Sequence, residues 1–254
     1  MTLIENVILS IVEGITEFLP VSSTGHLIMF QKWLNINDAN IDTYIISIQF
    51  GAILAVVGLY FKRFFNKNWL AFYTKLLIGF IPAAVLGLLF DDFLETLLGS
   101  GVVVGIMLIA VGVLLYFIED IFKPGTKTVD SMTWKDSLII GFAQTIAMIP
   151  GTSRSAATIG GALGCKLSLK ESTEFSFFLA IPTLTAASFY KVFKNWETLS
   201  ATNISDIALG NVLSFFTALL AVKFFIQMVQ KRGFKFFAIY RIIVGSAFLL
   251  TLYL

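Results

Sequence analysis

From Thr96 to Ile118 the chain carries no Asp, Glu, Lys or Arg. A helix needs about 20 mostly apolar residues to cross the hydrocarbon core of a bilayer. Lipid offers nothing to an unpaired backbone group, so a run of this length has one stable home, a membrane-spanning helix. The rest of the composition agrees. The chain of 254 residues is 57% hydrophobic and 13% charged, against about 25% charged in soluble domains. A soluble enzyme is therefore excluded, and an all-α integral membrane protein forming one membrane domain over 1–254 is expected. A net charge of +2 without a basic, aromatic-laced stripe argues against nucleic acid as a partner. Cys165 stands alone, so neither a disulfide framework nor a cysteine metal site is available. The first residues lack a cationic region and a small-residue cleavage site, and no cleaved signal peptide is expected.

Six segments are long and apolar enough to span: roughly 42–61, 70–90, 97–118, 172–191, 206–228 and 234–254. Lys223, Lys235 and Arg241 in the last two are expected to snorkel or to pair. Two further apolar stretches, 1–34 and 134–164, are interrupted by FLPVSSTGH and MIPGTSRS. Proline stops a helix, and the following Ser and Thr residues cap the next one. A broken backbone inside lipid is tolerated only where protein buries it or it lines a wet cavity. Both stretches therefore read as re-entrant helical hairpins.

Setting Pro20 against Pro150 aligns the two tips, with Ser23 facing Ser153, Thr24 facing Arg154, and Ala143 and Ala147 facing Glu13 and Glu17. Three spans follow each hairpin. The chain then divides into halves of about 1–118 and 119–254, related as an inverted repeat with its site where the broken helices meet. The basic loops Lys62–Arg63–Lys67 and Lys231–Arg232–Lys235 mark the cytoplasmic side. Four crossings separate them, which is consistent. The acidic group Asp91, Asp92 and Glu95 then falls outside, and the mixed-charge linker 119–136 is cytoplasmic.

The tips carry the chemistry. Glu13 and Glu17 share one helix face. Intramembrane carboxylates are functional by default. The pair either binds a divalent cation such as Mg²⁺ or Ca²⁺ through oxygen or contributes an acid or base. Ser22, Ser23, Thr24 and Gly25 at a helix start form an anion site, and His26, the single histidine, follows. The second tip adds Arg154, able to grip phosphate bidentately, together with Gly151, Ser153, Ser155 and Thr158. Gly160, Gly161 and Gly164 permit close helix packing. One tip supplies carboxylates, hydroxyls and imidazole, and the other supplies the cation. Phosphoryl transfer on a lipid-borne phosphate needs that combination.

EGITEFLPVSSTGHL at 13–27 and PGTSRSAAT at 150–158 resemble the two signature motifs of the bacterial undecaprenyl-diphosphate phosphatases. IQFGAILAV at 48–56 and EFSFFLAIPT at 174–183 are also similar to that family. The resemblance implies a multi-pass enzyme of the bacterial inner membrane, usually dimeric and cation-dependent. It would hydrolyse undecaprenyl diphosphate to the monophosphate, recycling the carrier of peptidoglycan synthesis and giving bacitracin resistance. The family's acidic pair falls on Glu13 and Glu17, its serines on Ser22 and Ser23, its histidine on His26 and its arginine on Arg154. Ser23, His26 or water remains open as the nucleophile; Ser23 is favoured, with Glu17 and His26 in acid–base roles. The site is expected to open to the extracytoplasmic side. The competing class is a transporter flipping undecaprenyl phosphate, since inverted repeats of broken helices are also transporter architecture.

Overall fold

A computed structural model gives residues 1–64 and 69–252, except for the Glu95 side chain. Lys67 of the first basic loop and the Glu95 carboxylate lie outside the described residues. The helices are α1 (Leu3–Thr16), α2 (Ser23–Trp33), α3 (Ile41–Leu59), the short α4 (Phe61–Phe64), α5 (Trp69–Leu89), α6 (Asp91–Leu98), α7 (Gly101–Ile121), α8 (Trp134–Thr145), α9 (Arg154–Gly164), α10 (Leu169–Lys194), α11 (Ala201–Arg232) and α12 (Lys235–Thr251). No strand occurs among the described residues; Lys127 and Leu167 make one isolated bridge. The protein is an all-α integral membrane protein. By length and hydropathy α3, α5, α7, α10 and α11 can each cross a bilayer. The sixth expected span, α12, has 17 residues, about 26 Å at 1.5 Å per residue, and lies along α7.

Both expected hairpins form, α1–α2 and α8–α9, and both begin with a capping box. Thr2 and Glu5 cap α1; Thr133 and Asp136 cap α8. These reciprocal bonds satisfy helix-end N–H groups before the chain enters the bundle. The hairpins exchange partners: α1 packs on α11, and α8 packs on α5. Each half thus lends a long helix to the other's hairpin. Contacts are close where side chains are absent; a Cβ on Gly141 would stand 2.5 Å from the Gly79 carbonyl. Gly161 is the member of its glycine group set tightly against α8, while Gly164 has room.

The polar groups sort to two ends. At one, Arg63 pairs with Asp130 at 2.9 Å, Lys75 donates to the Val129 and Asp130 carbonyls, and Phe234 N–H donates to Glu119. Both basic loops therefore abut the 119–136 linker. At the other, Lys194 and Tyr190 hold Asp91, the Met1 ammonium meets Asp38 and Asn6 reaches Asp206. Trp69 and Trp134 stand at the first end, and Trp33 and Trp196 at the second, all about half exposed. Paired tryptophan levels are what the two bilayer interfaces select. Between them Leu77, Leu114, Leu220 and Ile243 face outward, as lipid contact requires.

Candidate active site

The two tips meet inside the bundle. Ser22 caps α2 and accepts from Gly25 N–H, and Ser153 caps α9 and accepts from Ala156 N–H. Their backbones are left-handed, with φ of 71° and 77°. For a non-glycine residue that costs on the order of 1–3 kcal/mol and persists only where the surroundings dictate it. Gly151, at φ 93°, is the turn residue of the second tip; a Cβ there would sit 2.6 Å from the Val104 carbonyl. This turn has one more residue between proline and cap than the first, which corrects the proline alignment. Ser22, not Ser23, is the counterpart of Ser153, and Ser23, not Thr24, is that of Arg154. In the same register Gln144 and Met148, not Ala143 and Ala147, stand opposite Glu13 and Glu17.

Glu17 and Arg154 form a buried ion pair at 2.9 Å, their side chains 4% and 9% exposed. The guanidinium also donates to the Ser176 carbonyl at 2.9 Å and its hydroxyl at 3.3 Å, and lies 5.6 Å from the Phe18 ring centroid. Its Nε has no partner among the described residues. The second oxygen of Glu17 accepts from the Ser23 hydroxyl. Carboxylate, serine and arginine are thus locked together across the tips. They floor a cavity of about 520 Å³ whose lining includes Glu17, Ser22, Ser23, Thr24, Ser153 and Arg154. Its upper walls are apolar, with Phe80, Ala83, Leu88 and Leu184, and Asp91 and Lys191 stand at its far end. It therefore reaches toward the acidic end of the molecule.

Other expected site residues lie behind this floor. Ser155 donates to the Leu19 carbonyl at 2.8 Å and touches Ser153 Oγ at 3.0 Å. Thr158 bonds Ser176 Oγ at 2.7 Å. Gly25 contributes its N–H to the Ser22 cap. These three brace the tips and do not line the cavity. Gly151 lines it and also carries the turn. His26 faces away from the ion pair: Nδ1 lies 2.8 Å from the Ser22 carbonyl and Nε2 2.8 Å from Tyr240 Oη. A neutral ring donating from Nδ1 and accepting at Nε2 satisfies both contacts.

Arg241 is the residue whose role the sequence reading missed. It neither snorkels nor pairs. Fully buried, it donates to the carbonyls of Pro20 at 2.9 Å, Gly151 at 2.6 Å, and Met107 and Leu108 at 3.3 Å. One side chain therefore ties both tips to α7 from behind. Tyr240 and Ser176 were also missed, although Ser176 lies within the conspicuous EFSFFLAIPT.

Glu13 is fully buried, and both its carboxyl oxygens lack a partner among the described residues. An unpartnered buried carboxylate beside Glu17 suits a hard divalent cation. No cluster of three or more His, Cys, Asp or Glu exists among the described residues, so such an ion would draw its remaining oxygens from hydroxyls, water or ligand.

Two helix N-termini, an arginine and a serine–carboxylate pair are brought together inside an integral membrane protein, an arrangement of donors and charge suited to an anion. The chain belongs to the family described as bacitracin resistance protein BacA, which matches residues 6–247. It is 45% identical over 258 residues to an undecaprenyl-diphosphatase of Bdellovibrio bacteriovorus, covering all of this chain and 97% of that one. Relatives of the same name from Flavobacterium psychrophilum and Aromatoleum aromaticum are 46% and 47% identical. They cover 98% and 96% of this chain, and 96% and 92% of their own.

Proposed function

We propose that the protein is an undecaprenyl-diphosphatase, hydrolysing undecaprenyl diphosphate to undecaprenyl phosphate and inorganic phosphate. The observation that carries the chemistry is the Ser23 hydroxyl seated on Glu17, whose other oxygen is held by Arg154. That is a nucleophile on its base, with the base oriented by a third group. Glu17 takes the Ser23 proton as Oγ attacks the terminal phosphorus. The bridging P–O bond breaks, and undecaprenyl phosphate leaves with the bridging oxygen. Water then cleaves the Ser23–phosphate bond, returning the serine proton and releasing phosphate. Arg154 and the α2 and α9 N-termini stabilise charge on the transferring group. His26 positions Ser22 through its carbonyl. A divalent cation held by Glu13, with help from Glu17, would add charge neutralisation at the phosphate oxygens.

The apolar upper cavity suits a polyprenyl chain. With the basic loops cytoplasmic, the cavity opens extracytoplasmically from the inner membrane. The exchanged hairpins and matching caps support the inverted repeat with halves 1–118 and 119–254, six spans and two re-entrant hairpins. A homodimer belongs to the same reading. Flipping of undecaprenyl phosphate is the alternative, favoured by the broken helices at the cavity floor. Phosphate release by purified protein in detergent, where no two sides exist, separates the two. Binding of the lipid without any release defeats the enzyme reading.

A further inference from the structure

Above the Glu17–Arg154 floor the cavity carries polar groups that the chemistry has not used. Gln144 of α8 is 2% exposed and lines the cavity. Thr183 donates to its Oε1 at 3.3 Å, while its Nε2 is buried without a partner among the described residues. Gln49 of α3, 7% exposed, lines the same cavity from another wall, and no hydrogen bond of its amide occurs among the described residues. A buried amide donor left unpaired is destabilising unless something fills its place. Gln144 presents such a donor to the cavity, and Gln49 adds a second amide to the same cavity from a different helix, which together suit a ligand.

Their height identifies the ligand group. Arg154 is anchored at Ser176 and Gln144 at Thr183, both on α10. Seven residues of helix rise about 10 Å. A diphosphate with a hydrogen bond of about 2.9 Å at each end spans a similar distance. Beyond the amides the walls turn apolar. Gln144 therefore stands where the phosphate nearer the lipid would lie, and Gln49 faces the same cavity from α3.

We propose that Gln144 and Gln49 form a second phosphate subsite, which holds the lipid-proximal phosphate while Arg154 holds the terminal one. This rests on the phosphatase reading and deepens it. Neutral amides suit the task, because the proximal phosphate departs with the product and a second cation would retain it. The subsite makes the cavity selective for a diphosphate over a monophosphate.

The test uses purified protein in detergent, with inorganic diphosphate and orthophosphate as probes in thermal melts. Wild type is expected to be stabilised more by diphosphate than by orthophosphate at equal concentration. Gln144→Met and Gln49→Leu should each lose most of that difference and keep the orthophosphate response. Without ligand Gln49→Leu should melt no lower than wild type, since its amide makes no bond among the described residues, and Gln144→Met should lose at most its single contact from Thr183, whose hydroxyl also reaches the Leu179 carbonyl. KM for undecaprenyl diphosphate should rise about tenfold, as loss of one hydrogen bond to a charged acceptor implies, with kcat within about threefold. A wild type that does not distinguish the probes, or variants with unchanged preference and KM, overturns the subsite. A wild type that releases no phosphate from the lipid instead overturns the phosphatase reading, whatever the melts give.

Discussion

Replacing Arg241 with methionine tests whether the site depends on a strut that never touches substrate. Arg241 donates to four carbonyls. Those of Met107 and Leu108 lie inside α7 and keep their helical N–H partners. Those of Pro20 and Gly151 lie in the tip turns, where Arg241 is the donor that meets them. Two orphaned buried carbonyls cost about 1–3 kcal/mol each. Removing a buried charge returns part of that, so a net loss near 3 kcal/mol is expected. At about 2–4 °C per kcal/mol for a chain of this size, melting should fall by roughly 6–12 °C. Activity should fall further than stability explains. Once untied, Ser22–Ser23 and Ser153–Arg154 are free to drift, and a displacement near 1 Å costs about a hundredfold in rate. Arg241→Lys, whose compact ammonium lacks the fork that meets both tips, should recover much of the melting temperature and little of the turnover. Phosphate release well below the melting point of each variant is the assay. Turnover within twofold of wild type in Arg241→Met would refute the strut.

Other expectations follow from the same geometry. Arg154→Met should strand the Glu17 carboxylate and destabilise the fold by about 3–5 kcal/mol; adding Glu17→Gln should restore most of that in denaturation melts, with no phosphate release from either variant. Additive losses would show that the pair is not coupled. Ser23→Ala should leave under about 1% of turnover while still binding the lipid, and a substantial residual rate would assign the attack to water. Tyr240→Phe removes one bond to His26 and leaves the ring contact, so a loss of about three- to tenfold in kcat is expected with KM unchanged; a shift in KM alone would count against positioning. At the linker end, burial disfavours the charge of Asp136, but Thr133 and Lys127 outweigh it and hold the carboxyl below its ordinary value. That contribution is present above the unfolded carboxylate value of about 3.9 and fades as pH falls through the lower folded one. Wild-type melting should therefore decline more steeply below about pH 4 than that of Asp136→Asn, and parallel curves would argue against the cap.

Much of the architecture was legible because lipid punishes exceptions. Long uncharged runs have to be helices, and Pro20 and Pro150, each followed by hydroxyl-rich turns that cap the next helix, break theirs, whereas Pro82 and Pro182 sit inside α5 and α10. Glu17 and Arg154 were visible as charges with no business in hydrocarbon, and the ion pair between them follows from needing each other. The tip register was not legible. A one-residue difference in turn length is invisible beside two prolines, and it decided that Ser22 and Ser153 are the equivalent caps. The roles of Ser155, Thr158 and Gly25 were not legible either, because hydroxyls and small residues near a site serve ligand and backbone alike.

What the sequence by itself determined was the environment, the broken hairpins and the identity of the charged groups, since each follows from local chemistry judged against the bilayer. What only tertiary structure decided was direction. Arg241, alone in an apolar helix, reads as a snorkelling cation until carbonyls of Pro20, Gly151, Met107 and Leu108 are seen around it. His26 reads as a proton carrier until both its nitrogens are found occupied on the far side of Ser22. A side chain's chemistry is written in its residue type, but the partner it meets depends on helices brought together from distant parts of the chain.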